Sequence, residues 1–244
     1  MPPFSLAKRR NDQAPDAGRE RRRQHDQQSR RSDRTSGDRD AGPGPGLPGV
    51  PIHALPTYGG DPDGVAAWIN DKGQVVGSSG TCAPSFDPNA GNYLVENHAL
   101  LWENGTAIDL GNLGTQGLAG NHACEINNQG QVVGHTNSDT STRAYLWTRA
   151  TAMQNLGTLS GDFASLAIGI NDGGEVVGLS LDGNFNARAF LWEKGVMTDL
   201  NSLIASNPSG LKLQVASSIN SSGEIIGVAQ NGAGETRGFL ATPH

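Results

Sequence analysis

The chain lacks most of what announces a membrane anchor or a familiar reaction. No run approaches the roughly 18–20 apolar residues of a spanning helix. The opening MPPFSLAKRRNDQ has no central apolar stretch of about 7–15 residues, so no signal peptide is expected there. Histidine occurs six times, and no pair has the H-E-x-x-H spacing of a zinc hydrolase. There is no G-x-S-x-G elbow, no Walker loop and no C-x-x-C pair. No metal and no cofactor is expected, and catalysis is the less favoured reading. Residues converging from distant segments could still build a site without a linear motif. Aromatic residues make up only 5 % of the chain, yet Trp102, Trp147 and Trp192 recur at one place in successive repeats, which suggests a structural role.

What is abundant is glycine, 34 of 244 residues, about twice ordinary usage. That excess predicts many tight turns and many short strands. Charge is unevenly spread. Residues 1–40 hold eleven Lys/Arg and seven Asp/Glu, and the rest holds seven and seventeen. The acidic part repels nucleic acid and anionic lipid, so no nucleic-acid partner is expected for it. Residues 1–49 have almost no large apolar side chain and end in a Pro/Gly linker. They are expected to form a disordered polar tail, with the folded domain at 50–244.

Four repeats fill that domain: WINDKGQVVG, EINNQGQVVG, GINDGGEVVG and SINSSGEIIG, each followed by HALLW, RAYLW, RAFLW or RGFLA. Asn70, Asn127, Asn171 and Asn220 are equivalent. Periods of 40–50 residues built from short β runs indicate propeller blades. The third repeat divides into strands at 166–170, 175–181, 187–192 and 196–203. The Asn side chain caps each hairpin turn, and Gly73, Gly130, Gly173 and Gly223 are assigned the positive φ that closes it. The fourth repeat has no fourth run. VPIHALPTYGG at 50–60 resembles the fourth-run endings, and an N-terminal strand there would complete the last blade. The expectation is an all-β, four-bladed propeller of sixteen strands, a monomer. The alternative is an open stack that closes by dimerising.

These residues resemble the HAF-repeat family, whose pattern runs A-x-G-I-N-x-x-G-x-V-V-G, H-A-F-L-W, D-L-G-T-L-G-G. His98-Ala99-Leu100-Leu101-Trp102 matches the second element, and Asp109-Leu110-Gly111 and Asn155-Leu156-Gly157-Thr158-Leu159 match the third. Arg143, Arg188 and Arg237 stand where the family has His, and Ala241 stands in place of the last Trp. The likeness covers about residues 53–241. It implies a propeller-like fold and an extracellular or cell-surface location. It implies no reaction.

Candidate sites follow. Cys82 and Cys124 are expected on one rim of neighbouring blades, where a disulfide would close a 41-residue loop and stabilise by about 3–4 kcal/mol. The competing reading is two unrelated thiols. The long segment 78–97 carries Phe86, Asp87 and Tyr93 as contact residues, or else only caps the rim. His98, Arg143, Arg188 and Arg237 could form a basic ring for an anionic ligand, or recurring contacts within the fold. The Asn-Asp turns are too poor in acids for calcium. The favoured function is a binding or scaffolding module for a protein or a glycan. The alternatives are a hydrolase or lyase acting on extracellular polymer, and a structural passenger of a larger surface protein.

Overall fold

The computed structural model describes residues 52–84, 92–114, 120–138, 140–207 and 209–243. The expected tail, with Phe86 and Asp87, lies outside the described residues. The described domain, from His53 onward, is all-β. Sheet 1 contains β1 (Asp63–Ile69), β2 (Val75–Pro84), β3 (Asn92–Glu103) and β4 (Thr106–Asp109). Sheet 2 contains β5 (His122–Ile126), β6 (Val132–Asn137), β7 (Thr142–Thr148) and β8 (Ala152–Gly157). Sheet 3 contains β9 (Ala164–Ile170), β10 (Val176–Leu181), β11 (Ala187–Glu193) and β12 (Val196–Asp199). Sheet 4 contains β13 (Lys212–Ile219), β14 (Ile225–Gln230) and β15 (Thr236–Ala241). Each is an antiparallel meander in chain order. Among the described residues no helix is long and apolar enough to cross a membrane.

Short runs fold this way because each hairpin is closed locally and each sheet buries a face against its neighbour, sheets 2 and 3 burying both. The Asn127 Oδ1 accepts from the backbone N–H of Gln129 and Gln131, and Gly130 donates back to the Asn127 carbonyl. The same bonds recur at Asn70, Asn171 and Asn220. One assignment needs correction. The glycine with positive φ in the third turn is Gly174 at +80°, and it bonds the Asn171 carbonyl. Gly173 lies one place too early.

The V-V-G motif has its own cause. In every sheet the first strand carries a bulge opposite the second. The bulge brings a carbonyl so close that a Cβ on Gly77, Gly134, Gly178 or Gly227 would sit 1.9–2.0 Å from it. Only glycine fits at such a bulge.

The sheets pack in sequence through three apolar clusters. Val76, Leu101 and Leu110 of sheet 1 meet Ile126, Val132 and Trp147 of sheet 2. Val133, Leu146 and Leu156 meet Ile170, Val176 and Phe190. Val177, Ala189 and Leu200 meet Leu213, Ile219 and Ile225. Burying each large side chain stabilises by about 1.5–3 kcal/mol. No cluster joins sheet 4 to sheet 1 among the described residues, and Ile69 on one end and Leu240 on the other are 61 % and 63 % exposed.

The expected closure is therefore not formed. Residues 52–60 make no strand, and β15 pairs only with β14 among the described residues. The segment is held on sheet 1, where Trp102 Nε1 donates to the Pro56 carbonyl at 2.7 Å. Its bonds nonetheless reproduce those at the end of β8. Thr57 Oγ1 donates to the Asp61 carbonyl as Thr158 does to Asp162. The Tyr58 N–H meets Ser79 Oγ as the Leu159 N–H meets Ser180 Oγ. So 53–61 does resemble a fourth-run ending, as its sequence indicates, but its bonds run to sheet 1. Another difference lies in the third repeat, whose fourth run stops at Asp199. There the Asp199 side chain accepts from Asn201 N–H and starts a 3-10 helix, Leu200–Leu203.

Candidate functional site

The four Asn turns meet along one opening. Asn70 Nδ2 donates to the Asn127 carbonyl at 2.9 Å, Asn127 Nδ2 to the Asn171 carbonyl at 2.9 Å, and Asn171 Nδ2 to the Asn220 carbonyl at 3.1 Å. The residues one place later add a second tier. Asn128 Oδ1 accepts from the Asp71 N–H, and its amide donates to the carboxylates of Asp71 and Asp172. The Asn residues thus tie neighbouring sheets together as well as closing their own turns.

This ladder borders a cavity of about 270 Å³ lined by Trp68, Glu125, Asn70, Asp71, Asn127, Asn171 and Asp172, among others. Trp68, Glu125, Gly169 and Ser218 hold the same place, two residues before each ladder Asn. Trp68 is 48 % exposed. Glu125 leans over the next sheet, where its Oε2 accepts from the Ile170 N–H at 3.1 Å and lies near Gly169. Burial raises its pKa to about 7, and the Ile170 bond only partly offsets that. The opening thus offers one aromatic side chain, amide donors and acceptors, and a carboxyl that changes charge near neutrality. Sequence reasoning missed Glu125 and Trp68. The usable signal was divergence, because this position reads Trp, Glu, Gly and Ser directly before an invariant Ile-Asn.

The residues singled out from sequence lie elsewhere. His98 Nδ1 pairs with Asp61 Oδ2 at 2.7 Å, and Ser79 and Asn97 also donate to that carboxylate. Burial alone would raise the Asp61 pKa, but these three bonds outweigh it and hold the group below its ordinary value. Arg188 binds Asp162 at 2.7 Å and Asp199 at 3.2 Å, and Asp162 is the first cause of its raised pKa. Arg143 donates to the Phe163 carbonyl, and Arg237 to Glu235 and the Thr236 carbonyl. Each basic group is engaged with carboxylates or backbone of the fold, and none bonds another.

The long segment 78–97 is mostly an extension of the β2–β3 hairpin, with Cys82 opposite Leu94 and Pro84 opposite Asn92. Tyr93 pairs with Ala83 through the backbone. Cys82 therefore lies within β2, not after it, and its side chain lies outside what is described. Cys124 is a free thiol, its Sγ 3.9 Å from His135 Nδ1. No group of three or more His, Cys, Asp or Glu side chains among the described residues could hold a metal ion.

A second cavity, about 590 Å³, lies between sheets 3 and 4. Leu191, Leu200, Ile204, Leu213, Phe239 and Ala241 contribute to its wall. It opens where Ala241 replaces the Trp of the other repeats, because Trp147 packs into the corresponding apolar cluster between sheets 1 and 2. In comparisons with family models, with curated proteins and with solved structures, nothing matches this chain.

Proposed function

We propose that this chain is a non-catalytic binding module of HAF-repeat type, its sheets arranged as propeller-like blades, which acts at the cell surface or outside the cell. Its ligand is a hydroxyl-rich glycan held at the opening beside the Asn ladder. The observation behind this reading is the half-exposed Trp68 next to Glu125, Asp71 and the ladder amides. An indole face suits the apolar face of a sugar ring, while amides and carboxyls meet its hydroxyls.

A screen of the purified protein against immobilised envelope oligosaccharides tests the reading. Retention that is lost in Trp68→Ala supports it. Retention unchanged in Trp68→Ala, or retention only of envelope proteins, contradicts it. The hydrolase or lyase reading has one observation in its favour, a carboxyl poised near neutrality as general acids and bases are. Chain shortening of the same oligosaccharides, abolished in Glu125→Gln, would replace binding with catalysis.

A further inference from the structure

The two ends of the sheet array are complementary. On the leading face of each sheet, Val76, Val133 and Val177 are fully buried by the following sheet, whereas their counterpart Ile226 on sheet 4 is 50 % exposed. On the trailing face, Ile126, Ile170 and Ile219 are 2–6 % exposed, whereas their counterpart Ile69 on sheet 1 is 61 % exposed. The Asn ladder has matching ends. Asn220 Nδ2 donates only within its own turn, to Glu224, and the Asn70 carbonyl accepts only from Gly73 among the described residues. Sheet 4 needs what sheet 1 offers.

The edge of three-stranded sheet 4 fits the same scheme. By the shared bonding of 53–61 and 154–162, Ile52 is the counterpart of Met153 and Met197. Those methionines pair opposite Trp147 and Trp192, whose counterpart is Ala241 on the open edge of β15. Ile52 is 94 % exposed. The cavity beside Ala241 lacks the side chain that this strand would supply.

We propose that two copies of this chain assemble head to tail. Residues 52–57 of one copy add as a fourth strand to β15 of the other, and the Ile69 face of the first covers the Ile226–Leu240 face of the second. Both contacts are made twice, which gives a ring of eight sheets. That count lies within the range at which propellers close, and a heterologous contact must close to avoid a filament. The partner is a second copy because the interface repeats the three already present between its own sheets.

Light scattering on the full chain, eluted from a sizing column, reads the mass. The expected result is twice 25.5 kDa. Leu240→Asp and Ile69→Asp alter residues exposed in the single chain, so both should fold, keep the wild-type circular dichroism and run at one-chain mass. Mixing the two should restore two-chain species, because one sound interface remains. An isologous pairing would leave one of the variants fully dimeric, which overturns the proposal. The double variant Ile52→Cys with Ala241→Cys tests the register. Cross-strand partners lie about 4.5–5.5 Å apart, within disulfide reach. An oxidised product of two-chain mass supports strand exchange. A bond within one chain, or a wild type of one-chain mass at every concentration, overturns it.

Discussion

Asn127 reaches across to sheet 3 and donates from its side-chain amide to the Asn171 backbone carbonyl, 2.9 Å away. The same amide donates to Gln131 Oε1, while the side-chain oxygen closes the turn. One residue thus satisfies its own hairpin and a neighbouring sheet.

Asn231 makes the same kind of turn with Ala233 and Glu235 but, among the described residues, bonds no other sheet. Asn127→Ala should therefore cost about 2–3 kcal/mol, because the Gln129 and Gln131 amides lose their acceptor and the Asn171 carbonyl keeps only its bond from Gly174. Asn231→Ala, at an exposed turn, should cost about 1 kcal/mol or less. Urea titrations of the two variants check this. Equal losses would mean that the ladder adds nothing to the turns.

Glycine substitutions should separate by geometry. In Gly178→Ala the new Cβ would meet the Leu166 carbonyl at 2.0 Å, so the bulge must open or β10 must shift. The expected loss is about 3 kcal/mol or more. Gly183 has nothing within 4 Å and no positive φ, so Gly183→Ala should be near neutral. Thermal melts of both variants read the difference.

Much of the fold was legible in the repeats because each strand is bounded by its own turn chemistry. The Asn and Gly of the turns declare hairpins wherever they stand. The bulge was not legible, because V-V-G reads as an ordinary strand until the opposing carbonyl is in place. Closure was misplaced because the likeness of 50–60 to the fourth runs says what the segment is, not which sheet it joins. Trp68 and Glu125 stayed hidden for a related reason. They belong to different repeats and meet only through packing. His98 and Arg188 drew attention by recurring, and recurrence here marks their contacts with Asp61 and Asp162.

Glu125 should make stability depend on pH. Between its ordinary value of 4.5 and about 7, the folded chain retains a proton that the unfolded chain has released. Stability contributed by the neutral carboxyl is thus present at low pH and is lost as pH rises through that window. Glu125→Gln should remove the slope. Its melting temperature should match wild type near pH 4.5 and exceed it at pH 8. A change of about 1 kcal/mol corresponds to about 2–4 °C for a chain of this size. Parallel melts across pH 4–8 decide it.

The cavity at Ala241 should accept the side chain that the other repeats carry there. Ala241→Trp fills apolar space walled by Leu191, Leu213 and Phe239, so it should raise the melting temperature by a few degrees, about 1–2 kcal/mol. A lowered melting temperature would show that the last interface is shaped differently from the first three.

The central claim is that the opening beside the Asn ladder binds a glycan. The most direct test is a calorimetric titration of one retained oligosaccharide into wild type, Trp68→Ala and Arg237→Ala. The account predicts saturable heat with wild type and Arg237→Ala, and at least a tenfold weaker affinity with Trp68→Ala. Equal binding by all three, or loss only with Arg237→Ala, would contradict it.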